Sequence, residues 1–320
     1  MDSSDRFELD ADIVPILEDM RSRATNRPAL TAVTPEAMRL RASAEFVRWN
    51  ANPPPLALVR DFKVPSGDRS IPVRLYDPTP GEIGPAMVYL HGGGWVIGDL
   101  ELEDTPLRFL ASDSGVKIVS VDYRLAPEHR FPAAIEDALA VLGWLKGTGG
   151  ELNIDPDRLA LGGASAGANL SLGAALMSRD RGGPRPSFLL LMYGAYGGGA
   201  ETPSALLFGG GEFGLTNAAM QYFWNAYVRG PEDLANPYVA PLTADLRGLP
   251  PCYLNNAGVD LLRDDTRRLA ERLKAAGVPV QHREVAGVIH GFTQYAQGCA
   301  AGRRALADAA AAMKTALTGR

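Results

Sequence analysis

The chain holds only two cysteines, Cys252 and Cys299, and four histidines in 320 residues. Two thiols cannot build a disulfide framework for a chain of this length. The scattered histidines offer no metal-ligand spacing, so no metal or cofactor is expected. An uncharged apolar run of about 18 residues is also missing, which argues against a membrane span. Positive charge is scarce: 32 Lys and Arg face 37 Asp and Glu, for a net charge of −5 at pH 7. No basic field is present to hold nucleic acid or an anionic membrane. The start, Met1-Asp2-Ser3-Ser4-Asp5, lacks the basic and apolar regions of a secretory leader, so the expected compartment is the cytoplasm. There is no internal repeat and no low-complexity tract beyond glycine clusters.

Apolar residues make up 46% of the chain, enough for a large core, and 35 glycines and 24 prolines imply many tight turns. Two helical segments are expected in residues 1–50. Ile13, Ile16, Leu17 and Met20 recur at helical spacing, as do Met38, Leu40, Ala44 and Val47. Asn52-Pro53-Pro54-Pro55 then reads as a stiff linker. Beyond it, short β-like runs (71–76, 87–90, 117–123, 158–161, 188–193, 252–255, 278–285) alternate with helical stretches (132–145, 166–178, 263–275, 303–317). Such alternation predicts βαβ units and a mostly parallel sheet with helices on both faces. Residues 195–235 break the rhythm with Gly197-Gly198-Gly199, Gly209-Gly210-Gly211 and an aromatic helical run. With residues 1–50 they are expected to form a helical cap at the carboxyl edge of the strands, where ligands bind in α/β proteins. The remainder, 51–320, is expected to be one catalytic domain.

Two motifs carry chemistry. Gly163-Ala164-Ser165-Ala166-Gly167 matches the general G-x-S-x-G elbow, with a strand before it and a helix after it. The small flanking residues let a strained turn pass close to its neighbours. That turn would present the Ser165 hydroxyl at a helix N-terminus, where the Ala166 N–H and the helix dipole favour developing negative charge. His91-Gly92-Gly93-Gly94-Trp95 follows the strand 87–90. Its glycines suit a backbone that approaches a substrate oxygen and offers it N–H donors, the usual partner of such an elbow.

With Asp122-Tyr123-Arg124-Leu125-Ala126-Pro127-Glu128, Phe131-Pro132-Ala133-Ala134, Asp260 to Asp265 and His290-Gly291-Phe292, these motifs resemble the hormone-sensitive-lipase-like bacterial esterases, also called family IV carboxylesterases. The likeness runs from about residue 55 to 318. It implies an α/β-hydrolase fold, a triad of Ser165, Asp260 and His290, and an oxyanion hole from the N–H groups of Gly93, Gly94 and Ala166. It further implies a small-molecule ester substrate and pairing into a homodimer through an edge strand and the terminal helix. One departure stands out: Ala164 precedes the serine where the family usually has Asp or Thr.

The residues point the same way without the family. In a chain order of Ser, then acid, then His, His91 and His129 come too early. His91, with Gly92, is expected to brace the glycine loop, and His129 lies in a proline-flanked turn. His282 falls inside a predicted strand with its side chain facing helices. His290 sits in a loop just past that strand, where a base should hang over the nucleophile. Asp260 follows the strand 252–255, whereas Asp264 and Asp265 open the next helix and suit its dipole. Trp95, Phe223 and Trp224 are candidate pocket residues. Gly209 to Gly214 formally matches G-x-G-x-x-G but lacks the preceding strand, and reads as a loop near the cap hinge.

The expected activity is hydrolysis of short- to medium-chain acyl esters through an acyl-enzyme. A hydrolase of amides, lactones or acetylated small molecules would use the same groups. A non-catalytic binding protein on this fold is the third reading, and the presence of His290 argues against it.

Overall fold

A computed structural model describes residues 7–24, 32–197 and 199–319. The acidic start Met1 to Asp5 and Gly198 of the first glycine cluster lie outside the described residues. Eight strands form one sheet in the order β1-β2-β4-β3-β5-β6-β7-β8. β1 (Leu58–Ser66) pairs antiparallel with β2 (Arg69–Asp77), which pairs antiparallel with β4 (Lys117–Val121). The other pairings, among β3 (Gly84–Leu90), β4, β5 (Ile154–Ala164), β6 (Leu189–Met192), β7 (Cys252–Val259) and β8 (Val280–Ile289), are all parallel. The central runs Ile118-Val119-Ser120-Val121 and Leu189 to Met192 are buried on both faces, as β-branched and apolar strands between helix layers must be.

Helix α3 (Asp104–Ser114) packs with α9 (Ala300–Thr318) on one face, and α4 (Ala133–Thr148) with α5 (Ala166–Asp180) on the other. α8 (Arg263–Ala275) follows β7 and packs on it. The chain passes from β3 through α3 to β4 on one side, then returns through α4 to β5 on the other side of β3. The carboxyl ends of β3 and β5 therefore flank a topological switch point, the place where an α/β sheet opens a crevice. Both chemical motifs of the sequence leave the sheet there.

Among the described residues, four further helices lie outside this frame: α1 (Ile13–Ala24), α2 (Pro35–Phe46), α6 (Pro203–Phe208) and α7 (Asn217–Tyr227). Three begin alike. The hydroxyls of Thr34, Thr202 and Thr216 accept the N–H of Ala37, Ala205 and Ala219, and a proline follows the first two threonines. Threonine at the cap satisfies an orphan donor, and proline after it loses no helical bond. α1 buries Ile13, Ile16 and Leu17 as its spacing predicts. α2 differs from expectation: Met38 and Ala42 are buried, while Leu40 and Val47 are 75% and 59% exposed. A two-residue offset on a helix is about 200°, so Met38 and Leu40 cannot share a face.

Two elements escaped the sequence pattern. β1 is an edge strand with alternating charges, and α3 carries a proline in its first turn. The run 117–123 stops pairing at Val121; the Asp122 N–H donates instead to the Pro72 carbonyl at 3.0 Å.

Candidate active site

β5 ends at Ala164, and α5 begins one residue after Ser165. Ser165 takes φ +54° and ψ −118°. A non-glycine residue held there stores about 1–3 kcal/mol of backbone strain. Its N–H donates to the Met192 carbonyl at 2.8 Å, which pins the turn to the end of β6. The turn closes tightly enough that a Cβ on Gly167 would lie 1.8 Å from the Leu90 carbonyl oxygen. Glycine there is a steric requirement.

The loop after β3 is equally constrained. Gly93, Gly94 and Trp95 all have positive φ, at 109°, 58° and 62°. A Cβ on Gly94 would lie 2.4 Å from Cγ of Phe223 on α7. The His91 ring stacks on Tyr123 with centroids 4.3 Å apart, and its Nδ1 lies 2.7 Å from the Gly92 carbonyl. Complete burial pushes its pKa down to about 4, so the ring is neutral at pH 7 and braces the loop through contact and hydrogen bonding. Tyr123 donates its hydroxyl to the His91 carbonyl at 2.9 Å. The Gly92 N–H is engaged by Glu103 Oε1 at 3.0 Å.

His290 follows β8, and Asp260 follows β7. His290 Nε2 lies 2.9 Å from Ser165 Oγ, and its Nδ1 lies 2.7 Å from Asp260 Oδ2. The Asp260 side chain is fully buried, whereas that of His290 keeps 15% of its surface exposed. The other carboxylate oxygen of Asp260 accepts the Leu262 N–H at 2.9 Å, which fixes its orientation. Serine, imidazole and carboxylate, separated by 125 and 30 residues in the chain, form one hydrogen-bonded line.

That line opens into a cavity of about 460 Å³. Ser165, His290, Gly93 and Gly94 form its floor; Met38, Ala42 and Phe46 of α2 and Met220 and Phe223 of α7 form much of its wall. Trp95 and Phe223 line it, as the sequence suggests. Trp224 does not. One residue along a helix turns the side chain by about 100°, so Trp224 leaves the wall and packs on the far side of Trp95, ring centroids 4.2 Å apart. Tyr227 stacks on Trp95 at 4.7 Å and extends the same layer.

Other expectations change in detail. Asp264 and Asp265 do sit in the first turn of α8, but their carboxylates accept the N–H groups of Ser204 and Tyr196 at 2.8 and 2.7 Å. They anchor the root of the 195–235 insertion. His282 is half-buried on β8 and meets Asn256 Oδ1 at 2.6 Å, on the face whose Glu284 pairs with Arg267 of α8. The stretch Gly209 to Gly214 turns between α6 and α7, with Gly214 on the cavity. Sequence reasoning missed two residues. Glu103 lies buried beneath the glycine loop inside an unremarkable acidic run. Arg39 of α2 donates to the carbonyls of Val96 and Ala126 at 2.8 and 2.9 Å and pairs with Glu128 at 2.6 Å, which ties α2 to the base of the loop.

Comparison with known proteins gives the family. The α/β-hydrolase-fold family profile matches residues 87–294. A carboxylic ester hydrolase of Mycobacterium tuberculosis, LipN, is 40% identical over 261 residues, 78% of this chain and 69% of that protein. An acetyl esterase of Salmonella choleraesuis is 35% identical over 274 residues, covering 83% and 84% of the two chains. Among solved structures, a hyperthermophilic esterase from the archaeon Pyrobaculum calidifontis superposes with a TM-score of 0.90 at 36% identity, over 96% of this chain and 98% of that one. An ester hydrolase from the metagenome of Lake Arreo, complexed with a bipyridine phosphonate derivative, gives a TM-score of 0.90 at 34% identity with the same coverage. The chain belongs to the α/β-hydrolase-fold family, within its hormone-sensitive-lipase-like group.

Proposed function

We propose that this protein is a serine carboxylesterase that hydrolyses short- to medium-chain acyl esters, with Ser165 as nucleophile, His290 as base and Asp260 as the acid that orients it. The observation that carries the reading is the bonded line Asp260–His290–Ser165 at the floor of an apolar cavity. His290 Nδ1–H donates to Asp260, which leaves Nε2 free to accept the serine proton as Oγ attacks the ester carbonyl. The carbonyl oxygen becomes an oxyanion and takes hydrogen bonds from the Gly93, Gly94 and Ala166 N–H groups. Losing one such donor typically costs about 3–4 kcal/mol of barrier. Collapse breaks the C–O bond, and the alcohol leaves with the proton from Nε2. Water enters, gives its proton to Nε2 and attacks the acyl-enzyme; the acid departs and Ser165 is restored.

In this reading residues 1–50 and about 195–235 act as the cap, because side chains from both segments wall the cavity over Ser165. The relatives named carboxylic ester hydrolase and acetyl esterase support the reaction class. A panel of p-nitrophenyl esters from acetate to palmitate tests it. Turnover should be highest for the shorter chains and vanish in Ser165→Ala with the fold intact. Wild-type turnover by that variant would refute the assignment.

A further inference from the structure

Glu103 occupies the N-cap position of α3, yet its side chain makes no capping bond to that helix. A short N-cap side chain such as Asp or Ser normally holds one of the first helical N–H groups, a contact worth about 1 kcal/mol. Here the carboxyl turns the other way. It is 2% exposed, accepts the Gly92 N–H at 3.0 Å through one oxygen and the Tyr89 hydroxyl through the other. Gln294, four residues past His290, also helps to hold down the pKa of this carboxyl.

Gly92 is the thin partition between this carboxyl and the nucleophile. A Cβ placed on it would lie 3.3 Å from Glu103 Oε1 on one side and 3.5 Å from Ser165 Cβ on the other. The peptides that follow are those of Gly93 and Gly94. Fixing the Gly92 N–H fixes the plane from which those two peptides depart. Beside the His91 ring, whose Nδ1 lies 2.7 Å from the Gly92 carbonyl, this carboxyl is a second hold on a stretch whose two glycines have positive φ and no side chains.

We propose that Glu103 is a positioning residue that aims the Gly93 and Gly94 N–H groups at the reacting carbonyl. Burial raises the pKa of its carboxyl, while Tyr89, Gly92 and Gln294 pull it back. Such a group acts on the oxyanion alone. It should stabilise the transition state without affecting ground-state binding.

The inference rests on the esterase reading, and Ser165→Ala run in parallel separates the two: activity surviving there overturns the esterase assignment itself. Given an inactive Ser165→Ala, Glu103→Gln and Glu103→Ala are assayed for kcat and KM on p-nitrophenyl butyrate and for affinity toward a butyl trifluoromethyl ketone, a tetrahedral mimic. We expect kcat to fall about tenfold for Gln and about 10² for Ala, with KM within about twofold. Inhibitor affinity should weaken by the same factors as kcat. Tyr89→Phe, which removes one hydroxyl and no volume from the wall, should lower kcat a few-fold in the same pattern, and it carries the test with Gln if Ala does not fold. The proposal falls if both folded variants keep kcat within twofold of wild type. It also falls if the losses appear in KM, or if inhibitor affinity does not follow kcat.

Discussion

Replacing Gly94 by alanine puts the proposed oxyanion loop under two separate strains. At φ +58° an alanine costs about 1–2 kcal/mol of backbone energy that glycine does not. Its Cβ would also lie 2.4 Å from the Phe223 ring, a distance that forces either the loop or α7 to move. Movement of the loop misaims an N–H donor, and a lost donor lowers kcat by about 10²–10³. Gly94→Ala should therefore lose about 10² in kcat. Phe223→Ala removes the obstructing ring, so the double variant should recover several-fold over Gly94→Ala alone. It should not reach wild type, because the φ strain remains. Steady-state kinetics on p-nitrophenyl butyrate for the four proteins gives the coupling directly. A Gly94→Ala enzyme within threefold of wild type, or strictly additive effects in the double variant, would refute the idea that α7 rests on the loop.

Three further outcomes are expected. Asp260→Asn presents an amide N–H to His290 Nδ1 and drives the ring proton to Nε2, the wrong side for accepting from Ser165; kcat should fall by about 10³–10⁴ with KM little changed. Asp122, half-buried beside Asp99, has its pKa raised to about 6 by burial. Its ionisation therefore opposes folding: this cost is absent below about pH 4, where the unfolded carboxyl is also protonated, and is complete above about pH 6. Asp122→Asn should raise the Tm at pH 8 by the equivalent of about 1 kcal/mol after allowance for solvent screening, with the gain fading toward pH 4; an equal gain at both pH values would disprove it. Arg39→Ala should cost about 2 kcal/mol of stability in urea melts, because it strips a charged donor from two carbonyls and from Glu128, and KM should rise as α2 loosens.

The sheet and the serine turn were legible because they are local. A buried parallel strand must be apolar, as Leu189 to Met192 is, and a strained elbow must be flanked by small residues, as Ser165 is. His290 and Asp260 were legible through chain order and scarcity of histidine. What the sequence hid depends on which way a side chain points. Phe223 and Trp224 are neighbours of like chemistry, yet only Phe223 reaches the cavity. Leu40 and Val47 fit a helical period, but Leu40 sits on the outer face of α2 and Val47 is its exposed C-cap, a choice decided by where the rest of the protein lies. β1 was masked by its charges, since an edge strand exposes half its side chains. Glu103 had no local signal, because an acid among acids becomes distinctive only once Gly92 folds back onto it.

The Asp265 bond to the Tyr196 N–H joins two parts of the molecule usually considered apart. The hinge from which one side of the substrate chamber springs is moored five residues beyond the carboxylate that steers the imidazole. Tilting that side outward to admit a bulkier ester therefore pulls on the same short stretch that keeps the imidazole aligned. Enlarging the chamber from the 195–235 side should tax proton transfer, whereas widening it from α2, which Arg39 moors to the base of the glycine loop, should strain that loop instead.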